Sequence, residues 1–600
     1  MISAHHTEDI LPNRSELTRR SLLLSLLACA GCRARNESAL DRPAGIDKTD
    51  TPSSGPQLFR EVAEQAGLSF VETNGATGKF AFIETTPGGC AFLDYDNDGF
   101  LDVLLIQSGP IPGSPSAMPR PPCSLYHNNG DGSFTDVTHQ AGLDFNQGYA
   151  QGVAVGDYNN DGYPDIFITG YNGCFLLQND RNGHFIDVTV HAGVGERGQN
   201  RWATSAAFGD YDNDGHLDLI VLHYAPWTLS QDIYCKDARG RKDYCSPEVY
   251  GEDHPTLYHN NGDGTFSDVT HHAGMDKLYG RGLAVVWIDY DHDGREDLYI
   301  TNDLKPNMLL HNEGGGRFRN VGLQSGVAYG SDGRTLSGMG IAAGDYTNIG
   351  WESMVVTNFS GQPDSVYLAV GNGQYEDATY PSGIGSETLN YLAFGIETID
   401  YNRDGWRDLI IGNGHVDPYV AESAPDVTYA EPKLLFRNDG EGRFSRVTHG
   451  VEDLNAPVVT RGLAVGDYDN DGRVDILANN HNGPAQLFHN ESLDGNHWII
   501  LRLEGVKSNR DGAGTLAWIT AGGRRYFAEC RLGSSYASSS DKRLFFGLGG
   551  AKQAETLEVR WLGGLYQKFT RPFTADRFYW LREGDSLRID PRVRPARRSS

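Results

Sequence analysis

One nine-residue pattern recurs along the 600-residue chain and constrains its fold more than any other feature. Asp94-Tyr95-Asp96-Asn97-Asp98-Gly99-Phe100-Leu101-Asp102 is the first copy, and others start at Asp157, Asp210, Asp289, Asp400 and Asp467. A seventh, from Asp345, is degraded: Thr347, Ile349 and Ser353 replace the oxygen-rich positions 3, 5 and 9, although Gly350 is kept. The copies start about 62 residues apart, which suits one four-stranded unit with variable loops.

The spacing states a chemistry. Side chains at positions 1, 3 and 5 converge, and a glycine at 6 allows the sharp turn that a hard cation requires; oxygen-only donors favour Ca2+. An EF-hand opens in the same way but needs a glutamate at position 12, where this chain has Leu105, Ile168, Val221, Ile300, Ile411 or Ala478. Position 9 is aspartate in all six intact copies, and apolar strand-like residues follow it, so the loop joins two strands. The expected side-chain ligands are Asp94, Asp96, Asp98 and Asp102; Asp157, Asn159, Asp161 and Asp165; Asp210, Asp212, Asp214 and Asp218; Asp289, Asp291, Asp293 and Asp297; Asp400, Asn402, Asp404 and Asp408; and Asp467, Asp469, Asp471 and Asp475. Backbone carbonyls of Phe100, Tyr163, His216, Arg295, Trp406 and Arg473 complete the sets. About six Ca2+ ions are expected, and none at Asp345. The alternative, an Asx-rich turn without metal, leaves three or four carboxylates repelling one another in each loop. Six divalent ions would take the formal charge from −28 to −16.

The repeats close on themselves. Small residues precede each loop, as in Gly152-Val153-Ala154-Val155, and suit strands crowded near an axis. A hairpin signature follows, Leu125-Tyr126-His127-Asn128-Asn129-Gly130 through Phe134, with its aromatic position repeated at Phe185, Phe266, Phe318, Tyr375 and Phe444. The last repeat lacks this strand, and Phe59-Arg60-Glu61-Val62-Ala63 near the N-terminus supplies one. The fold class is therefore all-β: a seven-bladed β-propeller with calcium-binding inter-strand loops, followed by a small C-terminal β-sandwich domain. His127, His259, His311 and His489 recur with the hairpin and read as structural.

These repeats resemble the FG-GAP/VCBS repeats of integrin-type propellers, particularly those of proteins related to cartilage acidic protein, over residues 58–492. That resemblance implies calcium in the aspartate loops. Asn509-Arg510-Asp511-Gly512, Gly533-Ser534-Ser535-Tyr536, Arg543-Leu544-Phe545-Phe546-Gly547 and Val559-Arg560-Trp561 resemble the ASPIC/UnbV domain, placed at residues 493–590 and expected to dock on the propeller. A basic tail occupies 591–600.

At the N-terminus, Arg19-Arg20 precedes an 11-residue apolar stretch ending in Ala30-Gly31-Cys32. Residues 1–32 read as an export signal of twin-arginine type with Cys32 as a lipidation site, and 33–57 as a tether. Cleavage without lipidation is the alternative. The expected location is the periplasm or the cell envelope, including the outer membrane, with the cell surface or secretion as alternatives, and with membrane contact only through the lipid. Acidic residues outnumber basic ones 79 to 51, which disfavours nucleic acid as a partner.

Two insertions exceed what blade closure needs: 222–255, with His223, Tyr224, Trp227, Cys235, Tyr244, Cys245 and Tyr250, and 412–432, with Asn413-Gly414-His415. Cys235 and Cys245 are expected to form a disulfide, and Cys90, Cys123, Cys174 and Cys530 to be buried thiols. Asn413-Gly414-His415, like Asn302-Asp303 before Pro306-Asn307, resembles motifs of the same relatives. The leading reading is an exported calcium-binding recognition or adhesion protein that binds an extracytoplasmic protein or glycan through face loops. An enzyme acting on a polymer, with His415 and His223 at a central funnel, and a structural envelope platform are the competing readings.

Overall fold

The computed structural model describes residues 56–111, 123–145, 148–196, 198–237 and 239–594. The expected export signal with Cys32, most of the expected tether and residues 595–600 lie outside them. Seven four-stranded antiparallel sheets follow one another in sequence. The first comprises Cys90–Leu93, Asp102–Ile106, Cys123–Asn128 and Phe134–Asp136. Inner strands of successive sheets neighbour one another, and that of the seventh returns to the first, so the ring is closed. In every blade the second strand begins at loop position 9: Asp102, Asp165, Asp218, Asp297, Ser353, Asp408 or Asp475.

The strands are buried on both faces, because each blade packs between two others. Period-two alternation then divides one strand between two cores. In Asp102–Ile106, Val103 and Leu105 join the core shared with the seventh blade, while Leu104 and Ile106 join that shared with the second. Closure follows the sequence expectation. Phe59–Glu61 forms the outer strand of the seventh blade, with Phe59 opposite Asn490 and Glu61 opposite Phe488.

Residues 497–589 form two further four-stranded sheets around one apolar core containing Ile499, Leu501, Ile519, Phe546, Val559 and Trp561. His497–Glu504 pairs in parallel with Arg577–Arg582. This sandwich sits on the aspartate-loop side of the propeller. Arg510 N–H donates to Asn160 Oδ1 at 2.9 Å, the Arg407 guanidinium donates to the Phe545 carbonyl at 2.7 Å, and Arg560 pairs with Asp289. The start of the basic tail is held on the same face: Arg592 donates to Asn97 Oδ1 at 2.7 Å.

The stretch containing Gly533-Ser534-Ser535-Tyr536 leaves the sandwich and enters the propeller axis. Its hydrogen bonds reach inner strands of six blades: Cys90 and Phe92, Val153, Ser205, Ile341, Ile396, and Val465. Its smallness is what the axis demands. A Cβ on Gly89 would lie 2.1 Å from the Ala537 carbonyl oxygen, so backbone meets backbone there. Tyr536 is fully buried against Phe394 and donates to the Thr86 carbonyl at 2.8 Å.

Candidate metal loops and the opposite face

Each intact loop is held by the same contacts. The position-9 aspartate is fully buried, and its Oδ1 accepts the N–H of an asparagine on the third strand: Asn128, Asn179, Asn260, Asn312, Asn438 or Asn490, at 2.6–2.8 Å. That asparagine's side chain then donates to the carbonyl of the loop tyrosine in the preceding blade, as Asn128 does to Tyr468 at 2.9 Å and Asn179 to Tyr95 at 2.8 Å. In the degraded blade Ala369 stands at this asparagine position, and the Ser353 hydroxyl accepts its N–H at 2.9 Å.

A second clasp joins the loops directly. Position 4 has positive φ, 61° at Asn97 and 58° at Asn470, a region that asparagine enters more readily than other residues with a side chain. Its amide donates to the position-6 glycine carbonyl of the next loop: Asn97 to Gly162, Asn160 to Gly215, Asn213 to Gly294, Asn348 to Gly405 and Asn470 to Gly99, at 2.8–3.0 Å. His292 and Arg403 interrupt the series. His292 stacks on Trp351 with ring centroids 4.0 Å apart and also packs against Phe527 of the sandwich, which thereby covers the seam between the fourth and fifth blades. The six third-strand asparagines and the position-4 asparagines escaped the sequence reading, although their recurrence was visible in it.

The donor set fits a divalent cation. Buried carboxylate oxygens of Asp94, Asp165, Asp289, Asp297 and Asp400 have no hydrogen-bond partner. Burial first, then the charges of Asp98 and Asp96, push Asp94 up to about 7; burial raises Asp102 to about 8. Burial and the carboxylates of Asp218, Asp214 and Asp212 bring Asp210 to about 8. Such groups ionise together only if a cation offsets them. The recurring histidines stand on the third strands and reach these loops: His127 Nδ1 is 3.4 Å from Asp96 and 3.3 Å from Asp102. At Asp345 the carboxylate oxygens accept the N–H groups of Ile349 and Gly350 at 3.1 and 2.7 Å.

The two insertions emerge on the other side of the propeller. Cys235 and Cys245 are disulfide-bonded, closing the short hairpin Cys235–Lys236 with Lys242–Asp243. Arg241 pairs with Glu422 of the second insertion at 2.9 Å and lies 4.3 Å from the Tyr419 ring centroid, so segments from the third and sixth blades brace each other. Tyr244 donates to Glu84 at 2.9 Å. Tyr224 and Trp227 do not face outward. They pack with Trp202, Phe82 and Tyr171 in a buried aromatic cluster that Tyr536 joins along the axis. Tyr234, at 63% exposed, and Tyr419, at 40%, are the outward aromatics of the insertions. Cys90, Cys123, Cys174 and Cys530 are buried thiols.

The histidines considered for catalysis are held in other roles. His223 Nε2 lies 2.7 Å from Glu196 and Nδ1 3.1 Å from the His254 carbonyl, so both nitrogens face acceptors, and Arg201 donates to the same carbonyl at 2.6 Å. This network closes the base of the first insertion. His415 Nδ1 accepts the Asp417 N–H at 3.0 Å, which puts the ring proton on Nε2, 3.1 Å from the Ser360 hydroxyl. A nitrogen already bearing a proton cannot take one from Ser360, and burial lowers the ring to about 4. Asn302 and Asn413 clasp their loops, donating to the carbonyls of Pro306 at 3.1 Å and Pro432 at 2.7 Å.

The matches to sequence families agree with this architecture. The family model for FG-GAP-like repeats matches residues 94–168, 157–221, 237–300 and 412–478, and that for ASPIC and UnbV matches 505–588. Cartilage acidic protein 1 of Xenopus tropicalis is 25% identical over 521 residues, covering 80% of this chain and 71% of that protein. The Mus musculus protein is 24% identical over 519 residues, covering 79% and 70%. Among solved structures, an Agrocybe aegerita lectin specific for non-reducing terminal N-acetylglucosamine superposes with a TM-score of 0.37 at 17% identity, covering 67% of this chain and 91% of its own. BBS1N bound to ARL6DN superposes with a TM-score of 0.39 at 9% identity, covering 73% and 99%. The chain thus carries FG-GAP-like repeats followed by an ASPIC/UnbV domain and is homologous to cartilage acidic protein 1.

Proposed function

We infer that this is an exported recognition protein whose aspartate loops hold Ca2+ and whose opposite face binds an extracytoplasmic protein or glycan. FG-GAP-like repeats with an ASPIC/UnbV domain suggest an extracellular adhesion- or recognition-type protein. No helix among the described residues is long and apolar enough to cross a membrane. Attachment through lipidated Cys32 belongs to this reading, and mass spectrometry of the processed N-terminus tests it.

The observation that carries the reading is the division of labour between the two faces. The sandwich occupies the loop side and its small-residue segment fills the axis, which removes the central funnel on which the enzyme reading relied. The other side carries two insertions braced through Arg241 and Glu422, with Tyr234 and Tyr419 outward. Rigid exposed aromatics beside basic side chains provide contact area at modest entropic cost. The calcium loops would then serve as the frame that keeps the blades in register.

The experiment is a glycan array and an envelope-protein panel probed with the mature chain and with a Tyr234→Ala/Tyr419→Ala variant. Binding that falls at least tenfold in the variant, with unchanged thermal unfolding, supports the reading. Binding that survives both substitutions and replacement of residues 234–244 by a short linker contradicts it.

A further inference from the structure

Four of the six intact loops face an imidazole on the third strand of the same blade, and three of these present it in one geometry. Nδ1 of His127 lies 3.4 Å from Asp96 and 3.3 Å from Asp102; that of His259, 3.4 Å from Asp212 and 3.2 Å from Asp218; that of His311, 3.5 Å from Asp291 and 3.3 Å from Asp297. All three nitrogens are buried, and none makes a hydrogen bond. The ring thus aims its nitrogen between two carboxylate oxygens, one from loop position 3 and one from position 9. Asp297, fully buried, also keeps its Oδ2 without a partner in this cluster. His489 differs, because its Nδ1 hydrogen-bonds Asp475 at 3.1 Å and stands 3.9 Å from Asp469. The other two loops have Gln178 and Arg437 at this register.

We propose that the loops of the first, third and fourth blades are mixed nitrogen and oxygen cation sites, in which His127, His259 and His311 ligate the ion beside the aspartates of positions 3 and 9. The proposal rests on reading the loops as cation sites. Ligand atoms about 2.3 Å from one ion and at right angles lie roughly 3.3 Å apart, which is the spacing of these nitrogen–oxygen pairs. An imidazole nitrogen is a softer donor than a carboxylate and favours a borderline divalent ion such as Zn2+; Mn2+, although a hard ion, also accepts imidazole and reports it spectroscopically, whereas Ca2+ takes oxygen donors. The propeller would then hold two classes of site: three with an imidazole ligand, which admit a borderline ion such as Zn2+ as well as Ca2+, and three without one, which favour hard cations.

The test uses the full chain, stripped with chelator, loaded with Mn2+, and labelled with 15N only at histidine. Pulsed electron paramagnetic resonance is expected to show 15N coupling of directly bound imidazole. A His127→Gln/His259→Gln/His311→Gln variant is expected to lose the coupling and to bind Mn2+ at least tenfold more weakly at three sites, while retaining its Ca2+ stoichiometry; glutamine already occupies this register at Gln178. Mn2+ bound at several sites without histidine coupling would overturn the proposal while leaving the loops as cation sites. A wild-type chain that binds neither Mn2+ nor Ca2+ would overturn both.

Discussion

Asn470 Nδ2 donates to the carbonyl of Gly99 at 2.9 Å across 371 residues of sequence, joining the last loop of the ring to the first. The same asparagine accepts from Arg543 of the sandwich at 3.0 Å, so one side chain ties the propeller closure to the second domain. Asn470→Ala removes both bonds, leaves a buried carbonyl unpaired and puts alanine at positive φ. A loss of about 2 kcal/mol in denaturant unfolding is expected, with hydrogen exchange accelerated first in residues 94–102 and 467–475. Unchanged stability would show that the clasps do not hold the ring.

Tyr536 makes the second prediction. Its ring is fully buried at the axis and its hydroxyl donates to Thr86. Tyr536→Ala should cost about 3–5 kcal/mol, the range for deleting a buried aromatic, and should expose 531–542 to limited proteolysis. Tyr536→Phe should lose only about 1 kcal/mol, for the hydrogen bond alone.

Glu196 gives the pH dependence. Burial alone would raise its carboxyl, but His223 at 2.7 Å, with Arg201 and Tyr258, outweighs burial and holds it at about 2. A depressed folded-state value means that the stabilisation is present above the ordinary value near 4.5 and is lost as pH falls from there toward 2. At pH 7 Glu196→Gln should cost about 3 kcal/mol, and the difference between variant and wild type should shrink below pH 4. A difference independent of pH would remove the ion pair from the account.

The Cys235–Cys245 disulfide should act locally. Cys245→Ser frees a ten-residue loop that contributes little to the propeller cores. Faster hydrogen exchange in 234–244 and a weakened Arg241–Glu422 brace are expected, with global unfolding shifted by less than about 1 kcal/mol. Loss of global cooperativity would mean that the insertion is part of the folding core.

The sequence disclosed the architecture because repetition is visible without coordinates. Asp94 to Asp102 and its copies marked the turns, and Phe59–Glu61 was identifiable as the missing strand because the last repeat lacked one. Direction was not visible. Tyr224 and Trp227 read as surface aromatics because they stand in a long loop, yet the axis leaves an apolar space beneath that loop and they turn into it. Gly533-Ser534-Ser535-Tyr536 looks like an ordinary polar turn; that it threads a channel depends on seven inner strands supplied by other parts of the chain. His127, His259 and His311 stand where strand alternation puts them, but their approach to position 9 depends on the register between two strands, which composition does not encode.

The most direct test of the central claim is the number of Ca2+ ions bound by the mature chain, measured with thermal unfolding before and after chelation. About six ions per chain and a large fall in melting temperature on chelation are expected, since binding to the folded state alone stabilises it. Zero or one ion, with unfolding indifferent to chelator, would contradict the account and leave the aspartate loops as turns held by their asparagine clasps alone.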